Sequence, residues 1–289
     1  MQGCTGMTSD LQYAINPVLF SQECLKFEPD TWQARVLESN NNTLLNVCRQ
    51  AGKSTTCSIL ALHRALFFPK SLILCLSPSQ RQSAELYRKV VDFMALLSNP
   101  PKLEEDNKLS CVLSNNGSRI VSLPGSEKTV RGYSGVNLIV LDEAARIPDE
   151  LYLSVRPMLA VSGGRMVMLS TPFGRRGVFF EAYVNSEPKA WERIEVSADK
   201  CPRISQAFLD EERVALGPWF FDQEYFCRFK DTTDQVFSYD LISAAIDPDV
   251  KPLFPVNRVV ELERSDIVKI AEPVEAPAKA MPIRVGRTR

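Results

Sequence analysis

Residues 43–68, TLLNVCRQAGKSTTCSILALHRALFF, restrict the fold more than any other stretch of this chain. A short apolar run, TLLNVC, passes through a polar loop into a long segment of helical periodicity. The pattern repeats at once. SLILCLS at 71–77 is apolar and of strand length, and PSQRQSAELYRKVVDFMALL after it is helical in spacing, with Ser79 placed to cap it. Strand, helix, strand, helix in succession predicts an α/β fold: a mainly parallel central sheet flanked by helices on both faces.

The later chain extends this pattern with one interruption. SCVLSNNGSRIVSLPG at 110–125 reads as two short strands about an Asn-Gly turn. VNLIVLDEA then predicts a buried strand ending in acids, DELYLSVRPMLAV a helix, and RMVMLSTP another strand ending in small polar residues. VFFEAYVN and AWERIEVSA follow as a short helix and a strand. Residues 1–28 predict a loose end and a short helix. From Cys201 to about Asp247 the texture is helical and charged, consistent with a small appended subdomain. After Pro248 periodicity is lost and three arginines fall in the last six residues, so a disordered tail is expected.

Composition adds mostly exclusions. With 289 residues and 45% hydrophobic content the chain can bury one sizeable core or two modest domains. A net charge of -1 does not announce a nucleic-acid partner, and does not exclude one, because a basic face can be offset elsewhere. The eight cysteines contain no CxxC pair, and Cys48, Cys57, Cys75 and Cys111 lie in apolar runs where a thiol acts as a small hydrophobe. With a single histidine, His63, neither a zinc site nor a disulfide framework is expected. No apolar run reaches ~18 residues and the N-terminus is not a signal peptide, so no membrane segment and a reduced cytoplasmic setting are expected.

The loop itself carries chemistry. A strand-to-helix turn aims successive backbone N–H groups at an anion, and the helix N-terminus adds partial positive charge. In RQAGKST, Gly52 lets the backbone approach, Lys53 reaches β- and γ-phosphates, and the Ser54 hydroxyl suits Mg²⁺. Gly-Lys-Ser alone is a weak signal. It gains weight from LIVLDEAA downstream, an apolar strand ending in Asp142 and Glu143. Asp142 would hold Mg²⁺ through water, and Glu143 would position and activate an attacking water. Two motifs in this order, each after a strand, point to nucleotide binding. Val47 stands where a first loop glycine is common, and Arg49 sits inside the loop. A loop guanidinium suits γ-phosphate charge, or equally an ion pair with a nearby acid.

Together these motifs resemble the ATPase domain of the large terminase subunit of tailed bacteriophages, a P-loop NTPase of the ASCE type. RQAGKST is similar to its phosphate loop, which implies ATP contacts from Arg49, Gln50, Ala51, Gly52, Lys53, Ser54 and Thr55. FEPDTWQARVL resembles the family's adenine motif, which implies that Gln33 reads the base; Trp32 beside it would pack on the base or in the core. LSTPFGRRG resembles the coupling motif, with Ser170 and Thr171 linking phosphate state to movement. TVRGYSGVNLIVLDEAARIP is a further match, and makes Arg131 a candidate finger acting on the next subunit, or a brace for the acidic loop. FLDEERVALGPWFFDQEYFCRF resembles the helical lid. The implied division is 1–26 N-terminal extension, 27–200 P-loop ATPase core, 201–247 helical lid subdomain and 248–289 tail.

The resemblance implies an ATP- and Mg²⁺-dependent motor that moves double-stranded DNA into a procapsid without reading its sequence. It also implies a homo-oligomeric ring, the portal protein and the small terminase subunit as partners, and the host cytoplasm as location. Full-length members continue into a nuclease domain; fewer than ~45 residues remain after the pattern ends, too few for one, so no nuclease is expected on this polypeptide. A helicase-like DNA translocase and a weakly hydrolysing regulatory module stay as alternatives. Arg175, Arg176 and Lys128 are open between DNA contact and solvated surface, and His63 is expected as a packed histidine.

Overall fold

Six consecutive strands of the sheet are parallel, and that arrangement follows from helical crossovers between apolar strands. The computed structural model describes residues 4–125, 130, 132–187, 189–231, 237, 239–246 and 250. Helices α1 (Cys4–Ile15), α2 (Pro17–Glu23) and α3 (Thr31–Glu38) precede β1 (Thr43–Val47). Then come α4 (Lys53–Phe67), β2 (Leu72–Ser77), α5 (Gln80–Ala95), β3 (Leu103–Asn107), β4 (Ser110–Leu113) and β5 (Arg119–Pro124). The core closes with β6 (Leu138–Asp142), α6 (Asp149–Val155), β7 (Arg165–Ser170), α7 (Gly177–Val184) and β8 (Glu192–Val196). The long helix α8 (Gln206–Phe226) and the short α9 (Tyr239–Ala245) follow.

The eight strands run in the order β3-β4-β5-β2-β6-β7-β1-β8. Only β3–β4 and β4–β5 pair antiparallel. The Asn116–Gly117 turn accounts for the second pairing: Gly117 has φ 70 and its N–H donates to the Leu113 carbonyl at 2.8 Å. Strand β3, LEEDN, has no apolar pattern to reveal it; its charged, exposed residues suit an edge that must not recruit another chain. Between β1 and β6 lies β7, so the element that ends in Ser170 separates the loop strand from the acidic strand.

Alternate residues of each parallel strand feed two buried layers. Leu45, Ile73, Cys75, Val140, Val167 and Leu169 pack with α2–α5 on one face. Leu44, Leu74, Leu76, Ile139, Leu141 and Met168 pack with Leu151, Val155, Phe179 and Trp191 on the other. Cys48, Cys57, Cys75 and Cys111 are all buried among these apolar side chains. Ser79 caps α5 by accepting from Gln82 N at 3.3 Å.

The N-terminal region departs from the expected loose end and single helix. It forms α1 and α2, and Phe20 and Leu25 enter the buried cluster at 1% exposure each. His63, 5% exposed, packs between Phe20 and Phe67 with Nε2 2.9 Å from the Tyr13 carbonyl. Helix α8 is two helical segments joined at a kink. Gly217 (φ 72, ψ 162) breaks the helical path and Pro218, which cannot donate to the preceding turn, opens the second half. Leu209, Phe221 and Tyr225 of α8 join the buried cluster under the loop strand.

The chain divides into two units, Met1–Tyr239 and Asp240–Arg289. The second is described only at residues 240–246, helical as far as Ala245, and at 250. Of the expected tail, 248–289, only residue 250 is among the described residues; Asp247 also lies outside them. Among the described residues no helix is long and apolar enough to cross a membrane.

Candidate active site

The loop leaves β1 at Val47, whose side chain is fully buried and whose Cα registers with Val196 of β8. The position belongs to the strand rather than the turn, which is why valine suits it better than glycine. The turn is made further on: Gln50 (φ 60) and Gly52 (φ 90) are both left-handed. Gly52 caps α4, and a Cβ built there would stand 2.9 Å from Gln33 Nε2. Glycine is therefore required at 52 for conformation and space. The N–H groups of Lys53, Ser54 and Thr55 open α4 with no carbonyl one turn back inside the helix.

A cavity of about 500 Å³ lies over this turn. Arg49, Lys53, Lys89, Arg146 and Glu143 line it, four cations against one anion. Gln50, Gly52, Ser54 and Thr55 complete the loop side, and Gln82 joins from α5. The excess of positive charge together with the open helix terminus fits a polyphosphate. Lys53 is 8% exposed, and Nζ donates to the carbonyls of Val47 and Cys48, both at 2.8 Å. Burial pushes its ammonium pKa down, opposed by Glu143 and Asp142.

The acidic strand meets the loop as its sequence predicts. Ser54 Oγ donates to Asp142 Oδ2 at 3.2 Å across 88 residues of chain. Burial, and then the neighbouring Glu143 carboxylate, push Asp142 up to about 6 against the pull of Lys53 and Ser54. A hydroxyl and a desolvated carboxylate side by side form a hard oxygen donor pair of the kind Mg²⁺ takes. Glu143 adopts φ 52, ψ 44, a conformation that costs a non-glycine residue about 1–2 kcal/mol. This turns the chain into a 3-10 turn over Ala144–Arg146 and sets Glu143 on the cavity wall. Its Oε2 accepts from Arg146 Nη1 at 2.9 Å.

The remaining expected residues distribute unevenly. Ser170, fully buried, has an Oγ without partner, and Thr171 Oγ1 lies 3.4 Å from Arg146 Nη1. Arg49 is in the ion pair that its sequence context left open: Nε donates to Glu224 Oε2 at 2.6 Å. Gln33 sits behind Gly52, 1% exposed and off the phosphate cavity wall. Its Oε1 accepts from Asp30 N at 2.8 Å to cap α3, leaving Nε2 buried without a partner. Trp32 packs against the core. Arg131 and Lys128 lie outside the described residues. Arg175 is 3.9 Å from Asp231, and Arg176 lies over the Phe173 ring at 5.2 Å.

Four participants were not anticipated. Arg203 Nη2 donates to Asp30 Oδ2 at 2.6 Å and to the Ala51 carbonyl at 2.7 Å, tying α3 to the loop. Lys89 reaches the cavity from an ordinary amphipathic helix and left no local signal. Arg146 had one, its i,i+3 spacing from Glu143. Glu224 had none; it meets Arg49 and Arg146 only through the packing of α8.

A family model described as terminase large subunit, T4likevirus-type, N-terminal, matches residues 44–244. The large terminase subunits of Thermus phage G20c and Thermus virus P23-45 are each 25% identical to the chain over 224 residues. The alignments cover 66% of this chain and 46% of each relative, so the chain spans less than half the length of the curated relatives it matches. Among solved structures, the ATPase domain of the Thermus phage P74-26 large terminase superimposes with a TM-score of 0.67 at 20% identity. That match covers 74% of this chain and 99% of that domain. The HK97 bacteriophage large terminase follows at TM-score 0.61 and 15% identity, covering 75% and 55%. The large terminase of a thermophilic bacteriophage, solved in complex with ADP, matches at TM-score 0.54 and 10% identity, covering 75% and 53%. With the family model matched across most of its length, this chain belongs to the terminase large-subunit family, through its T4likevirus-type N-terminal part.

Proposed function

We propose that this chain is the ATPase motor of viral DNA packaging, which hydrolyses ATP to drive double-stranded DNA into a procapsid. The observation that carries this is the Ser54–Asp142 contact at 3.2 Å, beside Lys53 and Glu143 on one cavity. The loop N–H groups and Lys53 bind the β- and γ-phosphates of ATP, and Lys53 exchanges its two loop carbonyls for phosphate oxygens. Ser54 and Asp142 would hold Mg²⁺, which when bound would neutralise phosphate charge. Glu143 orients a water in line with the γ-phosphorus and takes its proton as the bond to the β-phosphate oxygen breaks. Arg49 in cis, and Arg131 from a neighbouring subunit as the resemblance implies, offset the developing charge. Gln33 offers the adenine its unpartnered Nε2.

Ser170 and Thr171 stand at the end of β7, between the loop strand and the acidic strand, and in this reading they link phosphate state to movement. In this proposal the motor works as a ring at the portal protein, with the small terminase subunit delivering DNA, in the host cytoplasm. DNA is gripped through its phosphates, so translocation is independent of sequence. The test is steady-state ATP hydrolysis with and without linear double-stranded DNA, with Glu143→Gln as control. Turnover that rises with DNA and is lost in the variant supports the motor. Absence of turnover under both conditions, at concentrations where subunits associate, would reduce the chain to a nucleotide-binding module.

A further inference from the structure

Two arginines border the phosphate cavity, and one carboxylate holds both of them. Glu224, 8% exposed near the end of α8, accepts from Arg49 Nε through Oε2 at 2.6 Å and from Arg146 Nη2 through Oε1 at 3.3 Å. The other edge of the Arg146 guanidinium faces the site. Its Nη1 donates to Glu143 Oε2 at 2.9 Å and lies 3.4 Å from Thr171 Oγ1. Its carbon sits 4.7 Å from the centroid of the Phe173 ring. Both terminal nitrogens of this planar group are thus engaged, Nη1 by Glu143 and by Thr171 just after β7, and Nη2 by the long helix.

We propose that Arg146 is a positioning residue for Glu143, and that Glu224 sets the place of Arg146, so that Glu143 and the end of α8 move together. The inference rests on the ATP hydrolysis proposed above. As it stands, Arg146 occupies one Glu143 oxygen and restrains the carboxylate that must orient water. Two guanidiniums and two carboxylates cancel here; a terminal phosphate adds negative charge beside Arg49 and Arg146, both on the cavity wall. Phosphate and Glu224 then compete for the same guanidiniums, in a place partly shielded from water where such competition is strong. The Arg49 N–H also donates to the Glu224 carbonyl at 3.2 Å, so the loop backbone and this turn of α8 are joined directly. The break at Gly217 leaves the segment from Pro218 to Phe226 short enough to shift as one piece. A lysine at 146 could not serve, because an ammonium lacks the second edge that spans Glu143 and Glu224.

The experiment uses the full chain and the variants Arg146→Gln, Arg146→Lys, Glu224→Gln and the Arg146→Gln/Glu224→Gln double. Turnover number and KM for ATP are measured, together with hydrogen exchange of residues 218–226 with and without ATP-γ-S. Each single variant is expected to lower kcat about tenfold or more with KM changed less than about threefold. The double variant should match the slower single rather than their product, because the two residues act as one unit. Arg146→Lys should fail to rescue. ATP-γ-S should alter exchange at 218–226 in the parent chain and not in Glu224→Gln. Multiplying effects, rescue by lysine, or a loss confined to KM would overturn the proposal. If the parent turns over too slowly to measure, the exchange arm decides: ATP-γ-S bound with no change at 218–226 overturns the coupling alone. No ATP-γ-S binding at all overturns the ATPase assignment with it.

Discussion

At the carboxyl end of the sheet, Arg49 and Arg146 are met by Glu224 and Glu143. At the amino end, Arg64 and Arg165 share a cavity of about 460 Å³ with His63, and among the described residues neither is in an ion pair with a carboxylate. Arg165 donates to the Ser39 carbonyl, and Arg64 lies 4.0 Å over the Phe68 ring with Nε buried and unpartnered. The two ends therefore hold positive charge by different means. Carbonyls and a ring fix a guanidinium in place, whereas a carboxylate can exchange it for an arriving anion. Both ends carry desolvated charge at a cost. Burial pushes Arg165 down to about 10, helped by Arg64, and pushes Asp142 up to about 6. Only at the carboxyl end does that cost serve the proposed chemistry.

The comparison can be broken or sharpened by substitution at each end. The largest effect is expected for Glu143→Gln, which should lower ATP turnover by about 10²–10⁴-fold while leaving the melting temperature within a few degrees of the parent. Asp142→Asn comes next and acts in two directions. The Asp142 carboxyl titrates at 3.8 when unfolded and at about 6 in the fold, so its stability contribution is full below the lower value and lost as pH rises through the upper one. Fixed in a neutral form, the variant should be more stable than the parent by about 3 kcal/mol at pH 7.5 and equal to it near pH 4. Thermal melts across pH in nucleotide- and Mg²⁺-free buffer check this. The same variant should gain no stability from Mg²⁺ with ATP.

Gly52→Ala should destabilise by about 1–2 kcal/mol, because φ 90 is strained for alanine and its Cβ would press on Gln33 Nε2. Nucleotide affinity should fall with it, as read by titration of a fluorescent ATP analogue. The smallest effect lies at the amino end. Arg165→Met removes a penalised cation and leaves the Ser39 carbonyl to water, for a net gain of about 1 kcal/mol by denaturant melt at neutral pH. Its ATP turnover should stay within about twofold of the parent, since the sites are far apart in the sheet. A larger loss of turnover would mean that the amino end contributes to the chemistry after all.

Much of this was legible beforehand where the signal is local. The apolar runs predicted β1, β2, β6 and β7, Ser79 predicted the start of α5, and Asn116–Gly117 predicted the turn between β4 and β5. Lys53, Ser54, Asp142 and Glu143 were found from motifs that lie each at the end of a strand. Nothing local marks strand β3, because an exposed edge strand needs no apolar alternation. No long apolar stripe marks helix α3, whose core side is only Trp32, Val36 and Leu37 with Gln33 turned inward. Gln33 is an adenine reader by its motif; only packing shows that it sits behind Gly52 with Oε1 committed to a helix cap and Nε2 left without a partner.

By itself the sequence determined which segments become strands and helices, the left-handed turn that needs Gly52, and the order of the loop and the acidic strand. Those depend on interactions within a few residues, where side-chain spacing and backbone preference suffice. Only the tertiary structure decided that β7 lies between β1 and β6, and that Glu224 takes both arginines. Arg49 and Arg146 stand 175 and 78 residues from Glu224 in the chain. No local pattern encodes such a meeting. It follows from how α8 packs its Phe221 and Tyr225 into the core, which aims the acid beside them at the loop.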